Sequence, residues 1–202
     1  MWSAVKSGLL RVVPRLPRAS HLSTTAARGP RPTPKARRPF KASSNKGGGR
    51  SPLRGELSGA SRADQVLEAL SRARAAKTKL DPITVSIAIH RLGKFRANPG
   101  DERVAWLLKT ALPSFASIDA QGVSTSAWGL TKLQVRDEAI WKAISINAQR
   151  LKGDFVPQTI ANLMWSLATL DITPSADLVV AMSGEAVAKR KDFKAQNIAN
   201  LL

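Results

Sequence analysis

The fourteen residues PQTIANLMWSLATL, 157–170, decide the fold. Turned through roughly 100° per residue, Leu163, Met164, Leu167 and Leu170 fall in a narrow arc around Ile160. Ala161 and Ala168 widen that arc on one side, where small side chains let a neighbouring helix approach. Gln158, Thr159, Asn162, Ser166 and Thr169 occupy the far side, with Trp165 on the border. The spacing predicts an amphipathic helix. Its polar stripe carries no charge, whereas a stripe that merely faces water is expected to hold Lys and Glu.

The same wording returns along the chain. PITVSIAIHRLGKF (82–95), AQGVSTSAWGLTKL (120–133), PQTIANLMWSLATL (157–170) and AQNIANLL (195–202) start 38, 37 and 38 residues apart. Val85, Val123, Ile160 and Ile198 share the fourth place, His90, Trp128 and Trp165 the ninth, and Leu92, Leu130 and Leu167 the eleventh. Each complete copy is followed by a second apolar-periodic segment: ERVAWLLKTAL, RDEAIWKAISINAQRL and SADLVVAMSGEAVAKR. Asp101, Asp137 and Ser175 stand near their starts, as helix N-caps do. The short joins KGDFVP and RKDFKA place Phe155 and Phe193 equivalently, with Leu80 as a looser match. Upstream, SRADQVLEALSRARAAKTK puts Val66, Leu67 and Leu70 at helical spacing behind Ser61, a candidate N-cap. No segment alternates as a strand does. The expectation is an all-α chain, an α-solenoid of helix–turn–helix repeats of 37–38 residues over 62–202, with the last unit incomplete. Leu202 aligns with Met164, one residue before the next Trp, so the sequence reads as a fragment or a truncated gene model.

The formal charge of +18 is unevenly placed. Residues 1–55 hold 13 Lys/Arg and no acid, and the rest holds 19 against 14, a mild +5. A basic body is compatible with a polyanionic partner. With no cysteine, disulfides and thiolate metal sites are excluded. No run reaches the roughly 18 apolar residues of a membrane span. Residues 1–28 are cationic, acid-free and hydroxyl-rich, and Trp2, Val5, Leu9, Leu10 and Val13 can share one helical face. That composition is a mitochondrial presequence's, directing the chain to the matrix. A plastid transit peptide and a basic arm that stays attached are the alternatives. Residues 29–61, basic and rich in Pro, Gly and Ser, read as a disordered linker. GGGRS, 47–51, lacks the Gly-Lys-Ser/Thr ending of a phosphate loop.

DFVPQTIANLMWSLATL, 154–170, resembles the octotricopeptide-type repeats of organellar RNA-binding proteins. It looks most like alveolate and algal members that end in a RAP domain, and is similar to the helical region of the Fas-activated serine/threonine kinase family. ITVSIAIHRLGKF looks like the first repeat of such an array, with Ile87 and His90 at the Asn and Trp places. The resemblance spans about residues 62–202. It implies an α-solenoid that binds single-stranded organellar RNA, messenger or ribosomal, and serves transcript stability, processing, translation or ribosome assembly. The RAP domain has no counterpart here, so any cleavage activity tied to it does not carry over.

No catalytic constellation emerges, and the chain is expected not to be an enzyme and to need no cofactor, metal, membrane or small-molecule substrate. His90 lacks a partner at metal or triad spacing. Helical-repeat proteins that read single strands present two or three side chains per unit. By position the RNA-facing set is Thr84, Arg91, Lys94, Thr125, Lys132, Thr159, Asn162, Ser166, Asn197 and Asn200, with Arg91, Lys94 and Lys132 as phosphate holders. Asn162 and Asn200 fit an inter-repeat hydrogen-bond ladder equally well. Trp128 and Trp165 can stack on bases or pack between units. The competing reading of the whole chain is a structural protein-interaction solenoid, such as a subunit of a mitochondrial ribosome, with mitochondrial ribosome proteins as its partners.

Overall fold

The computed structural model describes residues 51–201, which are all-α with no strand among the described residues. The helices are α1 (Pro52–Gly59), α2 (Ala63–Ala75), α3 (Pro82–Lys94), α4 (Glu102–Ala111), α5 (Ala120–Lys132), α6 (Glu138–Arg150), α7 (Pro157–Thr169), α8 (Ala176–Ala188) and α9 (Ala195–Ala199). Short 3-10 turns follow α4, α6 and α8. The candidate presequence and most of the linker lie outside the described residues. No described helix is long and apolar enough to cross a membrane.

The helix starts are chemically fixed. Asp101 accepts from the Arg103 amide, Asp137 from that of Ile140, and Ser175 from that of Leu178, so the three expected second-helix caps form. Asp81 and Asp119 cap α3 and α5 in the same way. Ahead of α7 and α9 the chain has Val156 and Lys194 instead. There the third helical residue reaches back: Thr159 Oγ1 and Asn197 Oδ1 accept from the Val156 and Lys194 amides. Ser61 is not the cap of α2. Arg62 takes that place, and the Ser61 amide donates to Gln65 Oε1.

The first helices contact one another in chain order, α3 with α5, α5 with α7, α7 with α9, and the second helices α6 and α8 also meet. Val85, Leu92, Val123, Leu130, Ile160, Leu163, Leu167 and Leu170 are buried, each worth about 1.5–3 kcal/mol against exposure. Ile198 breaks the fourth-place pattern, at 48% exposed. Phe155 and Leu80 are buried before their helices, as is Ile118 at the equivalent place, and Phe193 is half-buried.

The α3–α5 crossing is backbone on backbone. A Cβ added to Gly129 would lie 2.6 Å from the Ile89 carbonyl oxygen, and one on Gly93 2.6 Å from that of Gly129. At the next crossing Thr131 and Ser166 stand in those places, with Thr131 Oγ1 3.5 Å from the Ser166 carbonyl. Small residues at the tenth and twelfth places therefore set the helix spacing.

The boundary expected at residue 61 moves. Residues 52–59, read with the linker, form α1, which packs on α2 and α3 and buries Leu57 completely. Leu53 and Leu57 supply its apolar side, and Pro52 starts it without needing an amide partner. These few residues lie inside a Pro/Gly/Ser-rich context that hides so short a helix.

Candidate nucleic-acid interface

Half of the expected contact set is consumed by structure. Thr84 is 1% exposed and its hydroxyl donates to Asp81. Thr159 and Asn197 are the reciprocal caps just described and are buried. Ser166 is fully buried and donates to the Asn162 carbonyl, 2.7 Å away. Arg91 donates to the carbonyls of Ser58 and Ala60 at the end of α1, a good place for a cation at a helix C-terminus, and is not a phosphate holder here. The wheel put these residues on the polar side; the neighbouring cap or helix closes over them.

Thr125 and Asn200 are half-buried and accept from Gln121 and Gln196 of their own helices. Asn162 is half-buried too. Among the described residues neither Asn162 nor Asn200 forms a side-chain bond to a neighbouring unit, so the ladder is not made. Lys94 and Lys132 remain exposed.

Lys132 stands on an aromatic ridge made by the ninth residue of each unit, while Lys94 lies over Phe95. The His90 and Trp128 rings lie 5.1 Å apart between centroids, tilted by 40°. Lys132 Nζ sits 5.5 Å from the Trp128 centroid and 4.9 Å from that of Trp165, bridging two repeats through both rings. Lys94 lies 5.7 Å from the Phe95 ring. All three ninth-place rings are half-buried, so each both packs and presents an edge or face. Burial and the charges of Arg91 and Lys94 hold the His90 imidazole below its ordinary pKa.

Where α3, α5 and α7 end, a recess of about 380 Å³ is lined by Arg96, Lys132, Gln134, Trp165 and Thr169, among others. Two of these have unusual backbones. Each of the three helices closes with paired bonds of the Schellman type: Ala97 to Leu92 and Arg96 to Gly93, Val135 to Leu130 and Gln134 to Thr131, Ile172 to Leu167 and Asp171 to Ala168. The residue after the cap must be left-handed, a place usually given to Gly. Here it is Arg96 (φ 52°), Gln134 (φ 57°) and Asp171 (φ 54°), at a cost of about 1 kcal/mol each. The aligned blocks 82–95, 120–133 and 157–170 stop one residue short of these positions, which is why the sequence reading missed them. Extending the repeat register by one place is the signal that finds them.

Elsewhere the ionisable groups are structural. Burial pushes the Asp81 carboxyl up, but the Thr84 hydroxyl and amide and the Arg54 guanidinium more than offset it, leaving a net lowering. Asp101 is drawn down to about 2 by its Arg103 hydrogen bond. No group of three or more His, Cys, Asp or Glu gathers at metal-binding distance among the described residues. Comparison with protein-family models, curated proteins and solved structures returns no match.

Proposed function

We propose that this chain is a non-catalytic RNA-binding protein, an α-solenoid of 37–38-residue helix–turn–helix units that takes single-stranded organellar RNA in mitochondrial RNA metabolism. The observation that carries the reading is Lys132 bridging Trp128 and Trp165 across two repeats. Single-strand binders combine cations that follow the backbone with aromatic faces for bases, and this ridge has both. The repeat register supports the solenoid, since first helices meet in chain order. The acid-free leader supports a mitochondrial address, with a plastid as the alternative. The test is binding of the whole chain to a labelled single-stranded RNA. We expect Lys94→Ala with Lys132→Ala to weaken it about tenfold or more. A double variant that binds like the parent would remove the ridge from the proposal.

A second reading is favoured by α8. Val180 and Val187 are 71% and 64% exposed, and a Cβ at Gly184 between them would meet nothing within 4 Å. An exposed apolar stripe of this kind fits a protein partner, as in a structural component working beside mitochondrial ribosome proteins. Co-sedimentation with a large complex, together with no affinity for free RNA, would select this reading.

A further inference from the structure

The recess at the ends of α3, α5 and α7 brings together an aromatic ring, two cations and an amide side chain. Arg96 and Gln134 hold left-handed backbones that Gly would adopt without strain, yet both carry long polar side chains. The Schellman bonds hold these backbones, and the left-handed turn sets where each side chain leaves the helix end. Both residues line the same recess as Trp165 and Lys132. Arg96 makes no ion pair among the described residues. Gln134 donates from Nε2 to the Thr131 carbonyl, 3.0 Å away, which leaves its amide oxygen as an acceptor at the recess. Lys132 is exposed and rests against rings.

We infer that this recess holds one unpaired nucleotide of single-stranded RNA, and that Gln134, the left-handed residue after α5, is the one that meets its base. The inference rests on the RNA-binding reading above and places its site at the helix ends instead of along the first-helix stripe. The base lies on the Trp165 ring. Lys132 turns from that ring to a phosphate, joined by Arg96, and Gln134 meets the base edge. The recess volume is in the range of small-ligand sites. The three left-handed residues differ in kind: Arg96 only donates, Gln134 donates and accepts, and Asp171 as a carboxylate only accepts. Within the recess Arg96 is thus suited to a phosphate and Gln134 to a base edge.

Glycine makes the test independent of folding. Arg96→Gly and Gln134→Gly remove the side chain while relieving the backbone. Each is expected to melt about 2–4 °C higher than the parent chain. Arg96→Gly is expected to bind a labelled single-stranded RNA about tenfold more weakly, and Gln134→Gly several-fold more weakly. Lys77 is the control. It has φ 50° after α2, loses one positive charge on change to Gly, and does not line the recess. Lys77→Gly is expected to gain the same melting temperature and to bind within about twofold of the parent. If Arg96→Gly and Gln134→Gly bind as Lys77→Gly does, the recess is not the site, while the RNA-binding reading stands. If the parent chain binds no single-stranded RNA, both fall together.

Discussion

His90 shows how one residue serves packing and charge at once. Its ring continues the aromatic ridge against Trp128, and burial, Arg91 and Lys94 hold its pKa below the ordinary 6.5. An unfolded chain therefore takes up the His90 proton before the folded one does as the pH falls. The stability that His90 contributes is complete above its ordinary pKa and is lost as the pH falls through the lowered folded value. Thermal melts of the free protein between pH 7.5 and 5.5 are expected to show that loss, and His90→Gln to flatten it. On the RNA-binding proposal the strand adds the opposite preference, because a phosphate beside the ridge would favour the imidazolium. Affinity is thus expected to rise as the pH falls over the same window, and the bound His90 to titrate higher than the free one by NMR. An affinity independent of pH would put the strand elsewhere. The sequence placed His90 in register with Trp128 and Trp165, but its electrostatic setting depends on Arg91 and Lys94 acting on a half-buried ring.

At the scale of the element, small residues decide how close the first helices come. Gly is a poor helix former, about 1 kcal/mol worse than Ala, so its presence in mid-helix needs a reason. For Gly93 and Gly129 the reason is contact with the neighbouring backbone. A methyl group on Gly129 has to displace the Ile89 carbonyl, which a helix cannot move alone. Gly129→Ala is expected to lower stability by about 1–3 kcal/mol despite its better helix propensity. Gly184 is the counter-case, with open space around it in α8. Gly184→Ala is expected to raise stability by about 0.5–1 kcal/mol. Chemical denaturation of the two variants checks both signs, and equal shifts in one direction would contradict the close crossing. The helices, their caps at Asp101, Asp137 and Ser175, and the packing arc of Ile160, Leu163, Leu167 and Leu170 were legible because they follow from periodicity within one segment. The consumption of Thr84, Ser166 and Arg91 was not. Each is polar on its own wheel, and only the preceding cap residue or the neighbouring helix shows that it is enclosed.

At the scale of the whole molecule, the question is which charges a polyanion meets. The net +18 is dominated by residues 1–55, while the remainder carries only +5. A site made of diffuse body charge would be weak, but Arg96 and Lys132 line one recess and Lys94 acts electrostatically on His90 of the ridge. Binding to a single strand changes with salt by about −0.7 in log K per log salt for each phosphate neutralised. Three such cations therefore account for a slope of about −2, and any steeper dependence comes from charges elsewhere in the chain. Substituting Lys94→Ala, Arg96→Gly and Lys132→Ala together is expected to make the slope of the whole chain shallower by about 2. On the RNA-binding proposal, the ridge and recess are the selective part, and the charges of residues 1–55 add affinity without selectivity. A triple variant whose salt plot runs parallel to the parent's would show that the ridge neutralises no phosphate, and would assign the polyanion contact to other charges.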